Sequence, residues 1–473
     1  MTDATLREMA EAFLTADARV SAFALSDADG KLEIAVTPAP AWVAGERAAA
    51  HAALVSRILK QWQMVYDRSY RWDREIRPPN FDAWISGFTG EAIPVERMQV
   101  WLDDALGLMR GVPHDRVIEI GCGVGLVVAA LAPGGRAYHG LDLSGEAIAS
   151  LAAWVATRPE LAHVRLTQGA AHDLDALDDL APGGADLAVL NSVVQYFPDA
   201  AYLERVLAAA LSKLAEGGAI FLGDLRAAAL LPMRATNVAV ARAEPGATVA
   251  KVRADAHAAL GLARELAIDP AYLAGLGRAL PRLGAITFSL KPEAADHELS
   301  GYRYDAILRL DVPREPAAPM AEAGTLADIL ARLDDERPAA VCIGGIANGR
   351  LARDAALTRA VAAADPDTRV ADIAVTPDPA AIEPAALAAA AAARGYATEL
   401  RFSPGSAEGA FDALLRRPGA RSGWPDPPPV PRSTNDPLGE DLVARLRREL
   451  QASLDDALGG KGRGRITMES APA

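Results

Sequence analysis

Hydrophobic positions between residues 100 and 312 switch between short solid runs and helical spacing. Solid runs at Arg116–Ile120, Ala137–Leu141, Val164–Thr167, Asp186–Leu190 and Ala219–Leu222 read as buried parallel strands. Between the last two, Leu203, Val206, Leu207, Leu211 and Leu214 recur at helical spacing, and Gly217-Gly218 stops that helix. Ile286–Leu290 and Arg303–Leu310 lie too close together for a full crossover helix, which predicts an antiparallel pair. The pattern is α/β, with five parallel strands and then an antiparallel pair in a seven-stranded sheet. A helical insert, residues 226–280, separates the fifth strand from the pair.

The flanks carry other periods. Residues 1–60 predict a helix over Leu6–Leu14, a hairpin over Val20–Val36 turning at Asp27–Gly30, and a helix from Gly45 to Tyr66. Residues 61–100 concentrate the aromatics Trp62, Tyr66, Tyr70, Trp72, Phe81, Trp84 and Phe88, either as core anchors or as a lid with aromatic walls. With the lid and insert, residues 61–312 form one expected domain. Proline marks residues 313–335 as a linker. Residues 336–420 predict a small α/β subdomain. Its strands are Ala339–Ile343, Val370–Val375 and Ala397–Phe402, its helices Leu351–Ala364 and Pro384–Arg394, and Phe411–Leu415 is an edge strand. Residues 421–473 give a proline-rich linker, an amphipathic helix over Gly439–Leu458 and a glycine-rich disordered tail.

Bulk properties narrow the function classes. The 473 residues are 51% hydrophobic and 23% charged, with a net charge of −14. That charge argues against nucleic acid or an anionic membrane as a partner. Two distant cysteines, Cys122 and Cys342, give neither a disulfide framework nor a zinc pattern, and no metal site is expected. The first residues lack a signal core, and the alanine-rich tract at 384–393 is too short to span a bilayer, so a cytoplasmic location is expected.

Chemistry concentrates after the first strand of the sheet. Arg116–Ile120 breaks into Gly121-Cys122-Gly123-Val124-Gly125, an apolar helical run follows, and Asp142 ends the next strand. Strand, glycine turn, helix, strand, acid is a nucleotide-binding layout. The glycines admit close backbone approach, and the acid accepts from ribose hydroxyls. Ser144 is available to cap the following helix in place of Asp142. Gly169-Ala-Ala171-His172-Asp173 follows the third strand and Asn191-Ser192-Val-Val-Gln-Tyr196 the fourth, at the carboxyl ends where ligands bind in open sheets. Gly223-Asp224-Leu-Arg226 follows the fifth; Asp224 is expected at the same crevice edge, with Arg226 pairing with it or meeting a substrate carboxylate.

Long segments resemble one family. Trp62–Tyr66, Phe88–Pro94, Asn191–Pro198, Phe221–Arg226, Glu265–Pro270, Glu298–Asp305, Gly345–Arg350 and Gly395-Tyr396 resemble the N-methyltransferase domains embedded in adenylation domains of nonribosomal peptide synthetases. The resemblance implies a class I, Rossmann-like methyltransferase fold dependent on S-adenosylmethionine, which it would leave as S-adenosylhomocysteine. It implies that Glu119, Gly121, Cys122, Gly123, Gly125, Asp142, Leu143, Ala171, His172, Asp173, Asn191 and Ser192 bind the donor. Glu119 would set the turn facing the methionine end, Leu143 would lie against adenine, and His172 or Asp173 would meet the adenine amino group. His172 stands where the family usually has an acid, and Gly87-Phe88 replaces a serine–tyrosine pair. Tyr66, Asn191, Tyr196 and Asp224 are the candidate catalytic residues; Trp84, Phe88, Thr89 and Arg226 are candidates for the substrate. Val20–Val36 and Asn435–Leu450 resemble pieces of the host adenylation domain, whose core is absent. The chain is therefore expected to be a freestanding enzyme acting on a small-molecule or carrier-bound substrate, with synthetase docking open to it.

The leading expectation is methyl transfer, in trans, to an amine of an aminoacyl or peptidyl intermediate. An O-methyltransferase forming an ester or ether stands beside it, and a non-catalytic docking scaffold is the reading from another class. An NAD-dependent dehydrogenase is disfavoured, because the turn lacks the G-x-G-x-x-G spacing that cradles a pyrophosphate.

Overall fold

The computed structural model describes residues 3–28, 31–72, 78–82, 84–177, 179–262, 264–277, 279–291, 298–430, 433–458, 460 and 464–468. The chain divides into two compact units, one of residues 1–60, 262–264 and 436–473, the other of 61–261 and 265–435.

The larger unit holds a seven-stranded sheet. Its strands are β1 Arg116–Ile120, β2 Ala137–Asp142, β3 Val164–Gln168, β4 Ala185–Asn191, β5 Leu214–Arg226, β6 Leu283–Leu290 and β7 Arg303–Leu310. The sheet order is β3-β2-β1-β4-β5-β7-β6. Strands β1 to β5 run parallel, while β7 is antiparallel to both β5 and β6. The order reverses between β1 and β4, which places a switch point, and hence a ligand crevice, at their carboxyl ends. The runs were solid because both faces are covered: Val117, Ile118, Leu187, Val189, Ile220 and Phe221 are all buried. Helix Val95–Arg110 packs Met98, Trp101 and Met109 into the same core.

Several expectations need correction. The helix predicted from Gly45 to Tyr66 spans Pro40–Trp72, so Trp62, Tyr66 and Tyr70 share a helical face four residues apart. Residues 73–77 and 83 of the expected lid, and the Trp72 side chain, lie outside the described residues. The stretch 226–280 carries helices Leu231–Ala241, Val249–Gly261 and Pro270–Leu276. Within the proposed linker, Met320–Glu322 pairs in parallel with 342–344, and helix Leu326–Asp335 follows behind a Thr325–Asp328 capping box. The predicted strand Val370–Val375 is instead a single 3-10 turn, Val370–Asp372. Its Val370, Ile373 and Val375 pack on Val249, Val252, Leu357 and Val361 rather than pairing. Phe411–Arg416, expected at an edge, is an inner strand between Ala340–Ile346 and Ala397–Phe402. Its one acid, Asp412, is buried against Arg401 at 3.1 Å.

The smaller unit has a three-stranded sheet in the order Val20–Ala28, Lys31–Pro38, Gly464–Met468. The predicted hairpin forms, but Asp27 and Ala28, expected in its turn, pair with Leu32 and Lys31 in the strands; Asp29 and Gly30 lie outside the described residues. Strand 464–468 falls in the tail expected to be disordered; 459, 461–463 and 469–473 are outside the described residues. It forms because Ile466 buries its side chain beside Ile34, Leu450 and Leu454.

Candidate active site

The loop after β1 is fixed by backbone chemistry. Gly121, Gly123 and Gly125 have φ of 79°, 47° and 82°, in the left-handed region that disfavours a side chain. A Cβ on Gly121 would stand 2.3 Å from Val193 Cγ2, so the loops after β1 and β4 are in van der Waals contact. At Gly123 the nearest atom to such a Cβ is the Tyr70 hydroxyl oxygen, 3.4 Å away, so Tyr70 lies in contact with the glycine turn.

Asp142 ends β2 beside this glycine turn. Its Oδ2 accepts from the Gly123 N–H and its Oδ1 from the Ser144 N–H, each at 2.8 Å. Burial raises its pKa, and the two backbone donors oppose that rise. Ser144 caps helix Gly145–Ala156 by accepting from Ala147 N–H, so Asp142 is not used as the cap. Ser144 also donates to Asp67 at 2.6 Å. Leu143 is half-buried in the same turn. Below the loop, Glu119 is buried and accepts from Tyr138 at 2.6 Å. Burial pushes its carboxyl up to about 8 against that hydrogen bond, so near neutral pH it carries its proton. The Cys122 thiol is buried and held well above its ordinary range.

After β3, Ala171 and His172 are half-buried and Asp173 is exposed. His172 Nδ1 lies 2.9 Å from the Tyr202 hydroxyl and its Nε2 3.3 Å from Asp173. Burial, then the nearby Arg205, lowers the His172 pKa and favours the neutral ring.

The loop after β4 faces the aromatic helix. Tyr196 sits 4.7 Å from Trp62 and 5.3 Å from Tyr66 between ring centroids, and Tyr66 stacks on Tyr70 at 5.9 Å. Burial raises the pKa of all three tyrosines, so they remain phenols. Asn191 ends β4 with Oδ1 buried and without a hydrogen-bond partner among the described residues. Ser192 has φ 58° and Asp224 φ 63°, both left-handed without being glycine.

Asp224 is not at an open crevice edge. It is fully buried, accepting from Trp101 Nε1 at 3.1 Å, from Ser192 Oγ at 2.9 Å, and from Arg303. Arg226 pairs with Glu265 rather than with Asp224. Burial, then Arg303, lowers the Arg226 pKa to about 10. Among the substrate candidates, Trp84 packs on Trp101 at 5.7 Å, Phe88 lies 6.2 Å from Tyr302, and Thr89 is exposed. Sequence reasoning missed Asp67 and left Tyr70 among the lid aromatics without a site role, because it ended the helix at Tyr66; the four-residue spacing of Trp62, Tyr66 and Tyr70 was the available signal. It also missed Trp101 and Arg303 as partners of Asp224, and no local spacing encodes them.

The left-handed glycine turn and the Asp142 carboxylate against it fit the backbone-lined, ribose-accepting side of a methyl-donor site, and the orphaned Asn191 oxygen ends the neighbouring strand. Residues 118–220 match the family model described as methyltransferase domain. Fold, loop and match define an S-adenosylmethionine-dependent methyltransferase. Its relatives include chondramide synthase cmdD of Chondromyces crocatus, 31% identical over 471 residues, which cover 95% of this chain and 12% of that protein. They also include the probable non-canonical nonribosomal peptide synthetase CymA of Salinispora arenicola, 34% identical over 305 residues, 64% of this chain and 4% of that one. The chain thus carries a methyltransferase domain, is similar over most of its length to a region of such synthetases, and spans 12% and 4% of those two relatives' length. Among solved structures, phosphoethanolamine N-methyltransferase 1 of Haemonchus contortus is 16% identical with a TM-score of 0.33, covering 59% of this chain and 55% of that one. Among the described residues no helix is long and apolar enough to cross a membrane, and no three His, Cys, Asp or Glu side chains are grouped to hold a metal ion.

Proposed function

We propose that this methyltransferase acts on an amine, and that the amine belongs to an aminoacyl or peptidyl intermediate of nonribosomal peptide assembly. The observation that carries the reading is the set of groups around the β4 and β5 ends. Asp224 is neutralised by Arg303, and Tyr66 and Tyr196 are held as phenols. An alcohol would need a base to accept its proton, whereas a neutral amine attacks with its own lone pair. A carboxylate would seek a free cation, but Arg226, Arg234 and Arg303 are paired with Glu265, Glu298 and Asp224. An amine N–H suits the unpartnered Asn191 Oδ1, and the faces of Trp62, Tyr66 and Tyr196 suit the positive charge that an amine gains.

Bound S-adenosylmethionine supplies a methyl group already activated on a sulfonium. In this reading Gly121, Gly123 and Asp142 hold the donor, while Asn191 orients the amine by accepting a hydrogen bond from one of its N–H groups. Trp62, Tyr66, Tyr70 and Tyr196 exclude water and keep the reacting atoms aligned. The synthetase relatives support a thioester-bound acceptor, supplied by a carrier protein.

Labelled donor, incubated with aminoacyl thioesters bearing free or acetylated amines and with free amino acids, tests the proposal. Label is expected on the free-amine thioesters alone, and Asn191→Ala is expected to lower that transfer about ten-fold or more. Label on the acetylated thioesters, or methyl ester as the sole product, would overturn the amine assignment.

A further inference from the structure

Asp224 and Ser192 hold each other in left-handed backbone at the strand ends, and that strained pair persists only if its surroundings over-determine it. The support can be traced outward. The Asp224 N–H donates to Asp305 Oδ1 at 2.7 Å. Lys291 Nζ donates to both Asp305 oxygens, at 2.7 and 2.6 Å. This ion pair is almost wholly buried, with side-chain exposures of 2% and 1%. A buried charge pair is intolerant of displacement, because parting it leaves uncompensated charge in a medium of low dielectric. The Lys291 carbonyl in turn accepts from Arg350 at 2.7 Å, and the same guanidinium nitrogen reaches the Ser300 carbonyl at 3.2 Å. Arg350 is itself aimed by Glu383, which takes its Nε and its other terminal nitrogen at 3.2 and 2.7 Å. Arg350 and Glu383 belong to the small α/β subdomain, to which the methyl-transfer reading gave no task.

We infer that Arg350 is a positioning residue for methyl transfer: through Lys291, Asp305 and Asp224 it sets the place of Ser192 and of the neighbouring Asn191. The small subdomain thereby serves the reaction without touching donor or acceptor. A guanidinium suits this part. Its planar fork donates in fixed directions to two carbonyls and a carboxylate at once, and an ammonium on a flexible stem does not reproduce that geometry. The inference rests on the strand-end site being the methyl-transfer site and not on the acceptor being an amine.

The test compares Arg350→Ala and Arg350→Lys with Arg394→Ala, which removes an exposed ion pair to Asp334 in the same subdomain. Trp101 donates to Asp224, so its indole N–H is a reporter that requires no acceptor. In protein labelled with ¹⁵N-tryptophan, both Arg350 variants are expected to shift the Trp101 indole signal, and Arg394→Ala to leave it in place. Affinity for S-adenosylhomocysteine, by calorimetry, is expected to stay within about three-fold of wild type. With any acceptor the protein methylates, kcat is expected to fall about ten- to a hundred-fold at unchanged donor KM. An unmoved Trp101 signal in Arg350→Lys would overturn the inference. So would kcat and donor affinity falling together in step with the folded fraction, since that outcome makes Arg350 a brace for the fold alone. Should Arg350→Ala fail to fold, Arg350→Lys keeps the charge and decides by the same readings.

Discussion

Gly121→Ala is expected to be among the costliest single-methyl changes in the larger unit, and its cost divides into two parts. The first is backbone: at φ 79° any side chain meets the left-handed penalty of about 1–2 kcal/mol. The second is steric, because the new methyl would stand 2.3 Å from Val193 Cγ2, and overpacking of that kind costs about 1–3 kcal/mol. Together they predict about 2–5 kcal/mol of lost stability. Gly134 isolates the first part, since it has φ 85° with no atom within 4 Å of a Cβ. Gly134→Ala is therefore expected to cost about 1–2 kcal/mol. Val193→Ala relieves the clash, so Gly121→Ala with Val193→Ala should be less damaging than the sum of the two, by about 1–3 kcal/mol. Urea unfolding of the four variants and wild type measures each term. If Gly121→Ala costs no more than Gly134→Ala, or if the double variant is simply additive, then the β1 and β4 loops are not packed as described.

Three further outcomes are expected. Glu119 has its folded pKa raised to about 8 by burial, so the folded chain holds a proton that the unfolded chain releases from about pH 4.5 upward. Stability from this group is full below the unfolded value and is lost as pH rises through 8; Glu119→Gln should remove a slope of up to about 1.4 kcal/mol per pH unit in urea unfolding between pH 5 and 8. Ile466→Ala should destabilise the smaller unit by about 2–4 kcal/mol, and Arg465→Ala on the opposite face by less than about 0.5, in thermal unfolding; equal effects would mean that strand 464–468 is not seated as described. Both thiols are buried, with Cys342 pushed up to about 12 and Cys122 also raised, so a thiol-reactive disulfide reagent at pH 8 should label neither cysteine until denaturant is added.

The parallel strands were legible because a sheet covered on both faces needs unbroken apolar runs; β1 and β7 have the bounds that their runs predict. The glycine loop and Asp142 were legible for a related reason. Their conformations depend on residue type at fixed spacing, which is local information. What was lost depends on distant partners. Asp224 looked like a crevice acid until Arg303 and Trp101, from another strand and another helix, were brought against it. Phe411–Leu415 reads as an edge strand, whereas Arg401 satisfies its Asp412 inside the sheet. Val370–Val375 has strand-like β-branched content, but three of its apolar side chains are claimed by two helices, and packing overrides propensity there. Ile466 sits in a glycine-rich tail whose composition says disorder, while one buried isoleucine beside a leucine row is enough to seat the strand.

That strand joins the ends of the chain in one sheet: 464–468 pairs in parallel with 32–36, and roughly 370 residues of the larger unit lie between the parts of the smaller one. For the smaller unit the whole methyltransferase is a loop to be closed. Closing an unstructured loop of that length costs about 5 kcal/mol in chain entropy, a sum comparable to the stability of an ordinary small domain. A folded methyltransferase presents its two ends at a fixed separation and removes most of that cost. The order of folding is thereby biased: the smaller unit closes its sheet at lower entropic cost once the larger unit has formed.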